Sequence, residues 1–283
     1  MLYSKDTLPR AKYVPISKNY YALRDEWVTM SKLEQHRDIC ACINKRRKGL
    51  IFTGQSACCI YHIPRLNPYE MRPDCISDKV KGSDFIRWHL GMHDPKARML
   101  NGFLVACPIQ TIFDLLMYDS AESILVSINH CLFNKLFNLD EFVNELGNRP
   151  GMKKIKLLRS LVRFMNEKCE SPLETIGWIE IYKAGLVLPQ QQVDIFDNHK
   201  FVGCVDMYWE LRGRKIILEL DGKVKLKVGD DLLAEKKRED KLRKAGYEVF
   251  RTNWKDVRSG ELVNMLTDIG IPKRRNHGSK FPE

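Results

Sequence analysis

Two apolar runs late in the chain carry carboxylates where strands rarely tolerate them. Phe201–Trp209 reads as a strand, yet Asp206 lies inside it; Lys215–Leu220 reads as the next, yet Glu219 and Asp221 interrupt its apolar residues. Asp and Glu are depleted in strands, and burying one without a partner is costly. Strand alternation puts Glu219 and Asp221 on one face and Leu218 and Leu220 on the other. The short turn Leu211-Arg212-Gly213-Arg214 makes the two strands neighbours, so Asp206 can approach Glu219. Carboxylates placed this way repel unless a cation lies between them, and oxygen donors of this kind suit Mg²⁺ or Mn²⁺. Each carboxylate also has a plainer explanation when taken alone. Asp206 reads as a strand-end residue bonded to a turn, and Asp221-Gly222 as the turn ending its strand. Upstream, Ser171-x-x-Glu174 reads as a capping box. These explanations leave the clustering on adjacent strands in a basic region unaccounted for.

The surrounding pattern frames that pair of strands. Ser171-Pro172-Leu173-Glu174 opens a helix that closes near Ala184-Gly185. Gln192–Phe196 is a first strand, joined to Phe201–Trp209 by the turn Asp197-Asn198-His199-Lys200. A charged helix over Asp231–Ala245 ends at Gly246, Tyr247–Arg251 is a fourth strand, and Asp256–Ile269 turns helical at its end. Ahead of this block, Lys153–Glu167 has the apolar spacing of a basic helix. The second half therefore reads α-β-β-β-α-β-α.

The first half reads as α+β. Tyr13-Val14-Pro15 and Tyr20–Leu23 are short strands about a turn, and Met30–Asn44 is a helix ended by Lys45-Arg46-Arg47-Lys48-Gly49. Leu50-Ile51-Phe52 is a strand, Ala57–Ile60 a buried helix and Pro64–Ser83 a loop. Asp84–Leu90 and Gly102–Cys107 are strands, and Ile109–Met117 and Ala121–Phe133 are helices. Nothing in this half has catalytic spacing. The strongest break is Asn148-Arg149-Pro150-Gly151. The expected organisation is an α+β domain over 1–150, a second domain over 151–271, and a disordered basic tail over 272–283.

Charge suggests the partner. The chain carries 47 Lys/Arg against 36 Asp/Glu, a net +11 over 283 residues, and residues 151–283 hold 27 and 20 of these. A basic balance of this size points to a polyanion, nucleic acid first, although a solvated charged surface has the same composition. No apolar run approaches the ~20 residues a spanning helix needs, so no membrane partner is expected. The N-terminus lacks the apolar stretch of a secretory signal. Nine scattered cysteines with no C-x-x-C pair read as buried reduced thiols, and the expected location is cytoplasmic. The oligomeric state is open, a homodimer included.

An acidic residue on a helix, Asp on a strand and Glu-x-(Lys or a substitute) on the next strand together form the PD-(D/E)xK nuclease pattern. Several blocks resemble the very-short-patch-repair-like endonuclease family of that superfamily. They are Ser171–Glu174, Val205-Asp206-Met207-Tyr208-Trp209, Leu218-Glu219-Leu220-Asp221-Gly222-Lys223, and the helix Glu235–Arg243 closed by Ala245–Arg251. The match spans residues 165–258 and rests on the order and spacing of the blocks. The first half, through Gly54-Gln55-Ser56-Ala57 to Ile63-Pro64 and Val105–Leu115, is similar to abortive-infection-type antitoxin regulators, with a truncated winged-helix-like start.

The resemblance implies an α/β architecture: a regulator-like α+β domain followed by a restriction-endonuclease-like α-β-β-β-α-β core, its mixed sheet flanked by helices. It implies cleavage of DNA phosphodiesters with Mg²⁺ or Mn²⁺, in phage-defence, toxin–antitoxin or mobile-element biology. Asp206, Glu219 and Asp221 would hold the metal, and Glu174 would complete the site from its helix. The usual lysine two positions after Glu219 is replaced by Asp221, which leaves Lys223 and Lys237 as candidates for stabilising the attacked phosphate. Candidate contacts to the nucleic acid are Lys225, Lys227, Lys236, Arg238 and Lys241. The alternative is a non-catalytic DNA-binding transcriptional regulator that keeps the fold; an RNA substrate also fits the motif.

Overall fold

In the computed structural model the chain forms two compact units, residues 1–131 with 135–159, and residues 132–134 with 160–283. The structure describes residues 2–3, 12–17, 20–77, 85–90, 96–222, 230–275 and 280–282. The division falls at Arg159–Ser160, later than the Asn148–Gly151 break. The protein is mixed α/β, with parallel and antiparallel pairing in both larger sheets.

The first unit opens with β1 (Leu2–Tyr3), β2 (Tyr13–Ser17) and β3 (Tyr20–Leu23), an antiparallel sheet in the order β1-β3-β2. Next come α1 (Arg24–Thr29) and α2 (Lys32–Arg46). The second of these starts at a full capping box between Ser31 and Glu34, which satisfies two of the donors a helix start leaves orphaned. A five-stranded sheet in the order β6-β5-β4-β8-β7 is built from β4 (Ile51–Phe52), β5 (Asp74–Ser77), β6 (Arg87–Leu90), β7 (Arg98–Leu100) and β8 (Phe103–Val105). Helix α3 (Gly54–Tyr61) follows β4, and α4 (Pro108–Leu115), α5 (Ala121–Phe133), α6 (Leu139–Gly147) and α7 (Ile155–Leu161) follow the sheet.

Several short elements depart from expectation. The Pro64–Ser83 stretch was expected to be loop but contains β5, all four of whose residues are buried. Asp74 disguises it: its Oδ2 accepts the Gln55 N–H at the start of α3, a tertiary bond that local propensity does not register. The strand expected from Asp84 begins at Arg87, residue 84 lying outside the described residues. The basic helix Lys153–Glu167 is shorter, α7 giving way to a 3-10 turn at Val162–Phe164.

The second unit is built on α8 (Pro172–Lys183), β9 (Gln190–Asp197), β10 (Lys200–Leu211), β11 (Arg214–Asp221), α9 (Asp230–Lys244), β12 (Tyr247–Asn253), α10 (Trp254–Ser259) and α11 (Glu261–Asp268). The sheet order is β12-β11-β10-β9: an antiparallel meander of β9, β10 and β11, with β12 added parallel to β11 across the α9 crossover. This is the order α-β-β-β-α-β expected from the sequence, and the two carboxylate-bearing strands are direct neighbours. Leu242 of α9 packs with Ile195, Val205, Tyr208, Ile217 and Val249. Helix α8 lies so close to the sheet that a Cβ on Gly177 would stand 2.6 Å from Leu220 Cδ2.

The expected disordered tail is instead docked along its described residues. Val187 N–H donates to Pro272 O and Arg274 N–H to Gly185 O, both at 2.8 Å. The Arg274 guanidinium reaches Tyr182 O at 2.7 Å and lies over the Tyr182 ring. Phe281 is buried against Phe164. These backbone bonds and ring contacts offset the ordering entropy that a basic composition alone does not.

Candidate active site

The site lies where the central sheet of the second unit splits. Between β10 and β11 the ladder runs from Leu211–Arg214 to Met207–Leu218 and stops. Beyond it, β10 stays paired with β9 and β11 stays paired with β12. One step past the last pair stand Asp206 and Glu219, so the fork opens at the two carboxylates. Leu220 N–H, left without a strand partner, donates to Asp206 Oδ2 at 2.8 Å. A side chain thus satisfies a buried backbone donor that the ladder abandons.

Three carboxylates communicate there. Gln192 of β9 donates from Nε2 to Glu174 Oε2 at 2.9 Å and to Asp206 Oδ1 at 3.1 Å. Its own Oε1 accepts the Cys204 thiol at 3.2 Å. Glu174, at the start of α8, also accepts the Glu170 N–H at 3.1 Å, while its backbone N–H donates to Ser171 Oγ. The serine therefore caps α8, but the glutamate reaches past the N-cap backbone to Glu170 and across to Gln192.

Burial is the main force on all three groups. It raises the pKa of Glu174 and of Asp206, with the Asp206 charge adding to the rise at Glu174 and the Asp221 charge to that at Asp206. At Glu219, burial and the Asp206 charge push the pKa to about 7, against the pull of Arg238 and Arg251. Arg238 of α9 donates to Glu219 Oε1 at 2.7 Å and to Cys204 O at 3.0 Å. Gly203 sits beneath that guanidinium, and a Cβ there would stand 2.9 Å from its Nη1.

Other sequence-predicted residues are placed differently. Asp221 is about half exposed, and its Oδ2 lies 3.3 Å from Arg251, which also bonds Glu235 and Glu239. Among the described residues no group of three or more His, Cys, Asp or Glu side chains is arranged to hold a metal. The expected trio of Asp206, Glu219 and Asp221 therefore does not close into one cage, because Arg251 takes the Asp221 carboxylate. Lys237 is exposed on α9, and the α9 cation bonded to Glu219 is its neighbour Arg238. Lys236 and Lys241 are exposed on the same helix. Arg238, expected to contact nucleic acid, is turned inward to Glu219. Lys223, Lys225 and Lys227 lie outside the described residues.

Gln192 and the inward role of Arg238 went unnoticed in the sequence. Arg238 had a signal: it precedes the buried Leu242 by four residues and so shares its helix face. Gln192 had a weaker one, falling in the register of β9 directly across from Asp206.

The donor types at the fork are carboxylate oxygens. Asp206 and Glu219 are two desolvated carboxylates, and the Asp206 charge disfavours ionisation of Glu219. A hard divalent cation takes oxygen donors, keeps several waters, and is commonly held by one or two carboxylates. No family model, curated protein or solved structure matches the chain.

Proposed function

We propose that the chain is a divalent-cation-dependent DNA endonuclease with a restriction-endonuclease-like core of the very-short-patch-repair-like kind. The observation that carries this reading is the forked sheet with Asp206 and Glu219 at its apex and Glu174 tied to Asp206 through Gln192. A purely structural pair of buried carboxylates would be expected to lie where each meets its own cation. Among the described residues Glu219 is bonded to Arg238, while Asp206 accepts from the neutral N–H groups of Leu220 and Gln192.

In this reading Asp206 and Glu219 hold Mg²⁺ or Mn²⁺, and Glu174 supports the site from α8. The bound cation supplies polarisation of a phosphoryl oxygen and a more acidic water. Arg238 offsets charge on Glu219 from the side of α9. Because Asp221 stands at the motif-lysine position and pairs with Arg251, Arg238 is, among the described residues, the cation that stands in for that lysine beside Glu219. Exposed Lys236 and Lys241 meet the phosphate backbone, where charge fixes position without reading sequence.

The test is incubation of the purified full chain with plasmid, single-stranded DNA and RNA, in Mg²⁺, Mn²⁺ or EDTA. Cleavage in Mg²⁺ or Mn²⁺ that EDTA stops, and that is lost in Asp206→Asn, is expected. Binding of DNA without cleavage in either cation would establish the non-catalytic regulator instead. Cleavage confined to RNA would keep the site and replace the substrate.

A further inference from the structure

We propose that Gln192 is a positioning residue that holds Glu174 and Asp206 converged at the fork before any cation binds, an inference that rests on the nuclease reading. Its side-chain amide is fully committed. The single –NH₂ group donates to carboxylates from two different elements, α8 and β10, at 2.9 and 3.1 Å. The carbonyl oxygen accepts the Cys204 thiol at 3.2 Å. Turning the amide over would set its oxygen against two carboxylates, so the surroundings fix one orientation.

The backbone adds an independent observation. Gln192 has φ +51°, in the left-handed region, in the middle of β9. A residue with a Cβ is strained there, and such strain persists only where the surroundings over-determine it. If β9 needed only to turn at this point, Gly or Asn would suit the backbone better. Glutamine is the residue that spans both carboxylates from this spot, and the strain aims it at them. Glu174 and Asp206 are both desolvated, and the Asp206 charge disfavours ionised Glu174. Without a donor between them, repulsion would part the helix start from the strand, and a cation would have to reassemble the site. Groups that orient metal ligands in this way typically change metal affinity 10–100-fold when removed.

The test uses the full chain without nucleic acid, titrated with Mn²⁺ by calorimetry and melted in EDTA. Gln192→Asn keeps a residue that tolerates the left-handed backbone but is one methylene short of spanning both carboxylates. It should retain a cooperative melt and bind Mn²⁺ about tenfold or more weakly than the wild type. Gln192→Glu replaces the donor with a third negative charge. It should melt at lower temperature in EDTA and recover on adding Mn²⁺. Wild-type protein that binds Mn²⁺ while Gln192→Asn binds within twofold overturns the positioning role and leaves the nuclease reading standing. Wild-type protein showing neither Mn²⁺ binding nor cleavage overturns both. Should Gln192→Asn fail to fold, Gln192→Glu decides: a melting temperature unmoved by the added charge and by Mn²⁺ overturns the role.

Discussion

Glu219 occupies surroundings that disfavour its own ionised form. Burial first and the Asp206 charge second lift its pKa to about 7, with Arg238 pulling the other way. The folded state therefore holds a proton on Glu219 over a pH range in which the unfolded chain, at an ordinary pKa near 4.3, has released it. Stability from this group is fully present below that ordinary value and is lost as pH rises through about 7. The loss is of order 3–4 kcal/mol, at 1.36 kcal/mol per pKa unit. Glu219→Gln should then flatten the pH dependence of the melting temperature in EDTA between about pH 5 and 8. It should melt above the wild type at the alkaline end and lose cation-dependent cleavage. Thermal melts across that range check the first outcome; a variant with the wild-type slope, or the wild-type cleavage rate, counts against the assignment. Glu174 allows a sharper separation of roles. Ser171 caps α8 through its own hydroxyl and stays in place in Glu174→Ala, so the stability cost should be modest, about 1 kcal/mol for bonds to Glu170 and Gln192. Cleavage should fall much further than the folded fraction. Activity that merely tracks the folded fraction would return Glu174 to a structural role.

At the scale of elements, α8 and the fork depend on close approach. A Cβ on Gly177 would meet Leu220 Cδ2 at 2.6 Å, with Met207 Cε and Leu262 Cδ2 just beyond. Gly177→Val should overpack this contact, costing about 1–3 kcal/mol and pushing β11 away from α8. Denaturant melts would show the cost, and Mn²⁺ binding should weaken because Glu219 rides on the displaced strand; unchanged binding with reduced stability would confine the effect to packing. The meander, the α9 crossover and β12 were legible in the sequence because alternation, turn residues and helix periodicity agree along 190–253. The strand β5 was hidden because Asp74 looks like a loop residue until its bond to Gln55 N–H is known. The docked tail was hidden because a backbone bridge to Leu186 leaves no mark on composition. At the site, Asp206 and Glu219 stood out as carboxylates inside apolar strands, and their meeting followed from the short turn. The fork itself was not legible, since the ladder stops where a carboxylate replaces a backbone acceptor. Asp221 shared the strand face of Glu219 as expected, yet its exposure and the reach of Arg251 took it away from the pair. Gln192 is one of three consecutive glutamines, and only its backbone angle and register single it out.

At the scale of the whole molecule, the proposed nucleic-acid partner would meet a net charge of +11, and the α9 cations are not equally placed to meet it. Among the described residues no helix is long and apolar enough to cross a membrane, and the basic surface of α9 presents Lys236 and Lys241 to solvent. Arg238, between them in sequence, is bonded to Glu219 and to Cys204 O. Lysines that neutralise phosphates release condensed counterions, so affinity falls steeply with salt, by about 0.9 in log–log slope per phosphate contact on duplex DNA. Replacing Lys236 and Lys241 together by Ala should weaken binding to unrelated duplex sequences about equally and lower the slope by about 2. Arg238→Ala should leave the slope near the wild-type value, because its guanidinium faces a carboxylate. It should instead lower stability at neutral to alkaline pH in EDTA, where ionised Glu219 is left buried without its partner. Fluorescence anisotropy on a labelled duplex between about 50 and 200 mM salt separates the two. A slope reduced by Arg238→Ala and untouched by the lysine pair would reverse the assignment, making Arg238 the phosphate contact. Affinity that does not change with salt would remove nucleic acid as the partner and leave the forked carboxylates to act on a smaller, less charged substrate.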